Sequence, residues 1–246
     1  QVGFGFHRYS TDREWKVPHF EKMLYDQAML LLAYSETYLV TGEEGYKQTA
    51  EEIIRYLVRD MRSREGAFFS AEDADSEGVE GKFYLWEYGD FMETAGGYGQ
   101  QYSGYFNLEE DGNFLDEARR VKTGENILYT GPGALPPGGA DALSAVRQLL
   151  FEKREERVRP HLDDKVLTDW NGLLIFALSR AAWIFDSREY YTVAKTAADF
   201  LLKEMKTDEG ALLHVYRNGK KGTKGMVDDY AFLIRGLLEL YRAGFE

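Results

Sequence analysis

The chain has no cysteine among its 246 residues. A disulfide framework, a thiolate nucleophile and a sulfur-ligated metal site are therefore excluded. Without cysteine the sequence carries no redox signature of its compartment, and a cytoplasmic location is the simplest expectation.

Basic residues are few relative to acidic ones: 30 Lys and Arg stand against 42 Asp and Glu, for a formal net charge of −12. A polyanion would be repelled by such a surface. Long apolar runs are also lacking, since none approaches the roughly 20 residues that a membrane span needs. Neither nucleic acid nor a membrane is therefore expected as a partner.

Hydrophobic residues, by contrast, make up 44% of the chain, enough for a full core. At this length one large domain over residues 1–246 is favoured. Aromatic residues account for 15% and include 17 tyrosines. Because such rings combine an apolar face with a polar edge, they can line a groove for sugars or peptides.

A helical hairpin is repeated along the chain. Residues 20–39 are apolar on nearly every side, which predicts a buried helix, and residues 46–61 have the spacing of an amphipathic helix. The short link "TGEEG" makes this pair antiparallel. The repeat shows in matching small and apolar positions: Gln27, Ala28 and Leu31 correspond to Asn171, Gly172 and Ile175, and a third copy begins at Ala231, Leu233 and Gly236. Such units stack in two concentric layers, so we predict an all-α fold, either an α/α toroid or an open α-solenoid.

The stretch between the first two copies is irregular. We expect a β-hairpin from "GAFFSA" and "GKFYLW", a helix near residues 141–158, and a second hairpin at "ALLHVYRNGKKG", where Asn218-Gly219 supplies the turn. The chain opens in a loop and closes on an inner helix without an outer partner. We therefore expect the middle fragment of a longer toroid, a partial barrel with small β-hairpins at one rim.

The first candidate motif is "HRYSTDREWKVPHFEKMLYD", which leads into the first inner helix. It contains His7, Arg8, Trp15, His19, Tyr25 and Asp26. Histidine is suited to acid/base work and tryptophan to stacking on a sugar ring. The alternative is a structural helix entry, with Pro18 near the first turn.

The second motif is the acidic loop "SAEDADSEGVEGKFYLW", which contains Asp73, Asp75 and Trp86. Crowded carboxylates raise one another's pKa, which can set one of them up as a general acid. A calcium-binding EF-hand is excluded because Tyr84 stands where the loop needs a bidentate Glu. An irregular cation site and a solvated hairpin tip remain alternatives.

The third and fourth motifs are "RPHLDDKVLTDWNGL" and "GMVDDYAFL", which open the second and third inner helices. They contain Asp164, Lys165, Asp169, Trp170, Asn171, Asp228 and Asp229. Helix capping explains one acid in each motif but not the whole set. The repeat predicts that Asp26, Asp169 and the Asp228/Asp229 pair surround a common rim.

These four motifs, in this order, resemble the thioredoxin-domain-containing proteins related to spermatogenesis-associated protein 20, over nearly the whole chain. The resemblance implies an α/α toroid similar to six-hairpin glycosidases and N-acylglucosamine 2-epimerases. The thioredoxin-like domain of that family is not in this sequence, so no redox function is carried over. Two positions depart from the family pattern: Gln27 replaces the usual Asn, and Asp169 replaces a small residue.

We therefore predict an acidic, aromatic cleft that binds a sugar-like small molecule, without metal or cofactor. If the chain is an enzyme, hydrolysis or epimerisation by carboxylate and histidine chemistry is expected; the alternative is a non-catalytic module that works with a thioredoxin-like domain. An incomplete toroid would also favour self-association through exposed inner-helix surface. The predicted acid/base residues are His19, Asp73, Asp75 and Asp228; the predicted substrate contacts are His7, Arg8, Trp15, Tyr25, Asp26, Trp86, Asp164, Lys165, Trp170, Asn171 and Asp229.

Overall fold

A computed structural model of the protein describes residues 2–115, 121–131 and 135–246. Helices form most of the secondary structure. They are α1 (Leu24–Thr41), α2 (Glu44–Tyr56), α3 (Tyr88–Ala95), α4 (Gly99–Tyr105), α5 (Gly139–Arg154), α6 (Thr168–Ile184), α7 (Arg188–Glu204) and α8 (Val227–Gly244). A π-helical turn, Leu57–Met61, continues α2, and a 3-10 turn, Gly96–Tyr98, joins α3 to α4.

The strands are short and pair in small antiparallel sheets. They are β1 (Tyr9–Ser10), β2 (Pro18–His19), β3 (Lys22–Met23), β4 (Ala71–Glu72), β5 (Asp75–Ser76), β6 (Val79–Glu80), β7 (Trp86–Glu87), β8 (Glu125–Asn126), β9 (Leu162–Asp163), β10 (Val166–Leu167), β11 (Val215–Arg217) and β12 (Lys220–Lys221). The sheet orders are β1-β2, β3-β4-β9, β5-β6, β7-β8 and β10-β11-β12.

The described chain divides into two compact units. The helix-pair unit consists of Phe4–Phe6, Lys22–Glu72 and Leu162–Glu246, and the mixed unit of Gln1–Gly3, His7–Glu21 and Asp73–His161. Each unit has its own buried apolar cluster or clusters.

The helix-pair unit confirms the repeated hairpin. Its inner helices are α1, α6 and α8, with α6 packed against both of the others. The amphipathic helices α2 and α7 pack on α1 and α6 respectively. The predicted link between α1 and α2 is confirmed too: Gly42 ends α1 in the left-handed region, and its N–H donates to the Tyr38 carbonyl.

Two glycines let α6 and α8 approach closely. A Cβ atom built on Gly172 would lie 2.6 Å from the backbone nitrogen of Leu233, and one on Gly236 would lie 2.7 Å from the carbonyl oxygen of Gly172. Neither gap admits a methyl group. The small residues that mark the repeat in the sequence therefore set the distance between these two helices.

Nearer the other end of α6, Arg180 links all three inner helices. Its guanidinium hydrogen-bonds to Glu36 on α1 and lies 3.5 Å from the buried carboxylate of Glu239 on α8. The pKa of Arg180 is raised, chiefly by the hydrogen bond to Glu36. The contact between α1, α6 and α8 is therefore polar as well as apolar.

The mixed unit packs α3, α4 and α5 around a second apolar cluster that includes Trp86, Phe91 and Tyr102. Trp86 is 1% exposed and lies beneath the Arg157 guanidinium, 4.3 Å from its carbon. This corrects the stacking role predicted for Trp86, because a ring buried in the core has no face left for a ligand.

The first predicted β-hairpin is wrong, whereas the second is confirmed. Strand β4 pairs with β3 and β9, and β7 pairs with β8, so "GAFFSA" and "GKFYLW" do not pair with each other. The acidic loop forms its own hairpin, β5-β6, because Glu77 and Gly78 both have positive φ and close a two-residue turn. Asn218 and Gly219 close β11-β12 in the same way.

The helix predicted near residues 141–158 corresponds to α5. Among the described residues, no helix has both the length and the apolar character that crossing a membrane requires.

Candidate functional site

The N-terminal ends of the three inner helices meet at one end of the helix-pair unit. The ring of Tyr25 in α1 meets the ring of Trp170 in α6 edge to face, with centroids 4.8 Å apart. The backbone N–H of Asp169 in α6 donates to Oδ1 of Asp229 in α8 at 3.1 Å. Of the acids predicted to share a rim, Asp169 and Asp229 are therefore in contact, while the Tyr25–Trp170 contact brings the start of α1 to the start of α6.

Asp229 is the buried centre of this rim, with an exposed fraction of 0%. Its Oδ2 accepts from the backbone N–H of Met226 at 2.7 Å, which caps α8, while its Oδ1 accepts from the first turn of α6. Free N–H groups at helix starts are otherwise unsatisfied, so one carboxylate serves two helices.

His214 joins Asp229 from the side. It immediately precedes β11, which pairs with β10, the strand that leads into α6. The carbonyl of His214 accepts from the N–H of Thr168 at 3.0 Å, and this places the imidazole beside the helix start. Nδ1 of His214 lies 3.0 and 3.1 Å from the two carboxylate oxygens of Asp229. Since a carboxylate can only accept, Nδ1 carries the proton and Nε2 of the neutral ring is the free base.

Asp169 is the third member of the cluster and is half-buried. Its Oδ1 accepts from the N–H of Trp170 at 2.8 Å. Burial raises the pKa of Asp169, and the nearby negative charge of Asp229 raises it further, against the opposing effects of the Trp170 N–H and of His214. A carboxyl that keeps its proton to higher pH than usual is suited to general acid work.

Ligand atoms of Asp169, His214 and Asp229 all lie within 4.8 Å of one another, so these residues would be the ones to hold a metal ion. Two features weigh against a cation. Both Asp229 oxygens already accept backbone N–H groups, and the helix starts that surround the cluster carry partial positive charge. The arrangement is better suited to proton transfer between a histidine and a carboxyl group.

Other residues predicted for this rim have varied positions. The Asn171 amide is buried and donates to the carbonyls of Phe68 and Leu167, which makes it a structural clamp rather than a ligand contact. Asp26 is partly buried in the first turn of α1, and Asp228 is exposed in the first turn of α8. Asp164 pairs with Arg217 at 2.5 Å, and Lys165 pairs with Asp163 at 3.0 Å.

The remaining predicted residues lie in the mixed unit. His19 contacts Glu80 at 2.7 Å through Nδ1 and Glu21 at 3.6 Å through Nε2, and Arg8 pairs with Glu21 at 3.1 Å. His7 contacts the Phe20 carbonyl at 2.8 Å through Nδ1. Three more of the predicted residues in this unit have exposed side chains: Trp15, at 84%, Asp73 and Asp75.

The mixed unit also has a pocket of about 400 Å³. Its wall includes Glu87, Asp90, Glu125 and Arg157, and none of the residues predicted for a site lies in it.

His214 was missed by sequence reasoning. The segment "ALLHVYRNGKKG" carries a strong turn signal for a hairpin, whereas its single histidine belongs to no local motif. The available signal was its location: a hairpin between an outer helix and the next inner helix must return to the rim.

No family model matches the chain. Spermatogenesis-associated protein 20 from Rattus norvegicus is 37% identical over 281 residues, and the human protein is 36% identical over 285 residues. Each match takes in the whole of this chain and 36% of the relative, so the chain spans about a third of the length of these relatives. Among solved structures, cellobiose 2-epimerase from Bacillus thermoamylovorans aligns with a TM-score of 0.58 at 11% identity, covering all of this chain and 46% of the epimerase. This likeness confirms the α/α-toroid fold. The chain therefore belongs to the family of spermatogenesis-associated protein 20.

Proposed function

We propose that the chain is a carbohydrate-processing domain that moves a proton on a sugar-like substrate, in the manner of an epimerase or isomerase. One observation carries the proposal: His214, oriented by the buried Asp229, shares a half-buried cluster with Asp169, whose pKa is raised. Such chemistry requires one group that accepts a proton and another that donates one, both close to the substrate.

Each residue has a distinct part in this proposal. Nε2 of His214 takes a proton from the carbon next to the carbonyl group of an open-chain sugar. Asp169, in its protonated form, gives its proton to the carbonyl oxygen, and the product is a neutral enediol. The His214 imidazolium then returns its proton to the carbon while the proton on oxygen goes back to Asp169: return on the original face restores the sugar, and return on the other face, after the enediol turns over in the site, yields the epimer.

Asp229 is a positioning residue in this scheme. It is fully buried, and among the described residues its hydrogen bonds join it to His214 and to two backbone N–H groups. The rings of Tyr25 and Trp170 lie in the adjoining first turns, where they can pack against a sugar face.

Glycoside hydrolysis fits the cluster less well. Two carboxyl groups would have to face the substrate, about 5–5.5 Å apart for retention or about 6.5–9.5 Å apart for inversion. Within the cluster Asp229 does not meet this condition, since it is fully buried and bound to His214 and to two backbone N–H groups, which leaves Asp169 as the one carboxyl of the cluster for a substrate. The fold of cellobiose 2-epimerase agrees with the proposed class, although fold alone is weak evidence of function.

The alternative of a non-catalytic interaction module would be favoured if Arg or Lys neutralised every acid of the rim. Asp164 and Asp163 do have such partners. Within the described ranges, neither Asp169 nor Asp229 forms a salt bridge with Arg or Lys. This observation supports acid/base chemistry over a purely structural rim.

The test is incubation of the protein with reducing mono- and disaccharides in heavy water. Proton transfer exchanges the hydrogen at the carbon next to the carbonyl, so we expect deuterium at that carbon and, with time, the epimer, both visible by NMR. We expect His214→Asn and Asp169→Asn each to slow exchange by about 10²–10⁴-fold.

Matched controls are His161→Asn and Asp208→Asn, which change exposed residues of the same types elsewhere and should leave the rate unchanged. No exchange on any sugar by the folded parent, or equal exchange by the His214 variant, would count against the proposal.

The raised pKa of Asp169 also makes a prediction about stability. The pKa of Asp169 in the folded protein lies above the ordinary value of 3.8. Folding is therefore favoured by the protonated carboxyl, and this stabilisation is complete below pH 3.8. It is lost as the pH rises through the folded-state pKa and the buried carboxyl becomes charged. Asn at this position carries no charge. Asp169→Asn should therefore melt at a higher temperature than the parent near pH 7, with a difference that shrinks as the pH falls toward 3.8.

Thermal unfolding of parent, Asp169→Asn and Asp208→Asn across this pH range checks the prediction. A difference between parent and Asp169→Asn that does not change with pH would contradict it.

A further inference from the structure

The segment that ends at His214 is held to two inner helices through side-chain hydroxyl groups. The hydroxyl of Thr168, the first residue of α6, donates to the Leu213 carbonyl at 2.6 Å, and its N–H donates to the His214 carbonyl at 3.0 Å. The hydroxyl of Tyr230, in α8, accepts from the N–H of Leu212 at 2.9 Å. Three successive residues, of which the last is the proposed base, are therefore fixed from two helices.

Both hydroxyls belong to residues next to the carboxylates of the cluster. Thr168 precedes Asp169 in the chain, and Tyr230 follows Asp229. Thr168 is 0% exposed and Leu213 is 4% exposed, so the hydrogen bond between them is shielded from water and is stronger than one at the surface. The same two helix starts therefore carry the acid, the carboxylate that orients the base, and the groups that hold the backbone of the base.

The first copy of the repeat forms the same backbone contact without a hydroxyl. Leu24 occupies the repeat position of Thr168, and Ser70 occupies that of His214. The N–H of Leu24 donates to the Ser70 carbonyl at 2.9 Å, which matches the backbone bond of Thr168. The leucine side chain offers no donor for the preceding carbonyl. The hydroxyl is therefore not needed to join this segment to an inner helix, and it is present in the copy that carries the histidine.

Tyr230 also differs from its counterpart in α6. In the repeat, Asn171 occupies the position of Tyr230, and Phe68 occupies that of Leu212. The Asn171 amide bonds both the N–H and the carbonyl of Phe68, each at 2.9 Å. Tyr230 bonds the N–H of Leu212, whose carbonyl accepts instead from the N–H of Gly225 at 2.7 Å. Removal of the Tyr230 hydroxyl therefore leaves this segment with a second backbone anchor.

We propose that the hydroxyls of Thr168 and Tyr230 form a two-point clamp that holds the imidazole of His214 in place beside Asp229. The clamp fixes the backbone from which the ring projects, while Asp229 fixes the ring through Nδ1. Its effect on catalysis rests on the proposed function, because the position of the ring matters to the rate only if His214 transfers a proton. Misplacement of a catalytic group by about 1 Å can cost about 10²-fold in rate.

Two conservative variants delete the hydroxyls and keep the shape of the side chains: Thr168→Val and Tyr230→Phe. In the heavy-water exchange experiment each should lower kcat by about 10–10²-fold and leave KM almost unchanged, because both hydroxyls bond the backbone rather than the substrate. Thr168→Ser keeps the hydroxyl and should keep the parent kcat. Equal losses for Thr168→Ser and Thr168→Val would overturn the proposal.

Matched controls delete hydroxyls of the same residue types elsewhere in the helix-pair unit. Thr196→Val removes a hydroxyl that donates to the Thr192 carbonyl within α7, and Tyr241→Phe removes one from α8. Both controls should exchange deuterium at the parent rate.

An NMR signal from His214 tests the clamp without any substrate. The Nδ1–H is bonded to a fully buried carboxylate, so its proton should exchange slowly with water and give a ring resonance in the isotope-labelled parent that is absent from His214→Asn. We expect this resonance to shift or broaden in Thr168→Val and Tyr230→Phe, and to stay unchanged in Thr168→Ser and both controls.

The two measurements separate failure of the clamp from failure of the proposed function. If the parent exchanges hydrogen on no sugar while the ring resonance responds to Thr168→Val and Tyr230→Phe, the clamp is supported and the proposed function is rejected. If the ring resonance is the same in the parent and in both of these variants, the clamp is overturned, whatever the rate of exchange.

Discussion

Replacing Gly172 with alanine is expected to destabilise the protein by about 1–3 kcal/mol, at the upper end of that range. The added methyl would lie 2.6 Å from the backbone nitrogen of Leu233 and 2.6 Å from the carbonyl carbon of Phe232. Backbone cannot move aside as the end of a flexible side chain can, so α8 would have to shift away from α6. That shift would loosen the core contacts of both helices.

The control for this variant is Gly45→Ala. Gly45 lies in the first turn of α2, and nothing stands within 4 Å of a Cβ atom built there. Alanine is the better helix former, so this change should be neutral or slightly stabilising. Chemical denaturation of both variants gives the comparison. Equal stability of Gly172→Ala and the parent would show that the close approach of α6 and α8 is not rigid.

The second large effect is expected for Asp229→Ala, with a loss of about 3–5 kcal/mol. The substitution removes a fully buried acceptor from the N–H groups of Met226 and Asp169, and leaves the Nδ1–H of His214 without its carboxylate. Three hydrogen bonds are lost at once, which accounts for the size of the loss.

Asp228→Ala is the matched control, since it deletes an exposed carboxylate from the same helical turn. Its cost should be limited to the helix-dipole contribution, about 0.3–1 kcal/mol. Urea titration of the two variants separates these cases. Similar losses for Asp228→Ala and Asp229→Ala would mean that Asp229 does not hold the two helix starts together.

The contrast between Asp228 and Asp229 shows how much of the site could be predicted from the sequence. The repeat correctly predicted the inner and outer helices, because a period of three and four with short links leaves few other ways to bury the apolar residues. It also predicted that Asp169 and the Asp228/Asp229 pair belong to one rim. Neighbouring residues of a helix point about 100° apart, so Asp228 and Asp229 cannot both face inward. Which of them does so depends on how α8 is turned about its own axis, and the close contact at Gly172 and Gly236 fixes that orientation.

Long-range pairing was harder to predict. Strand β4 pairs with Leu162–Asp163, a segment distant in sequence, and β10 brings His214 beside Thr168. The residues next to His214 do not signal this contact, because strands of two or three residues are too short for a periodic pattern. The acidic loop, by contrast, carries a usable local signal, since Gly78 favours the positive φ that the β5-β6 turn requires.

The polar link through Arg180 limits how far the inner helices can move relative to one another. Glu36 and Glu239 are held to the same guanidinium, while Asp229 ties the starts of α6 and α8 together. Helices fastened near both ends are poor hinges, so breathing motions of the inner layer should be small in amplitude. The sheet β10-β11-β12 is held to the same end of α6, because the N–H and the hydroxyl of Thr168 donate to the carbonyls of His214 and Leu213. If the proposed function is correct, a substrate therefore meets a base that is already fixed in place.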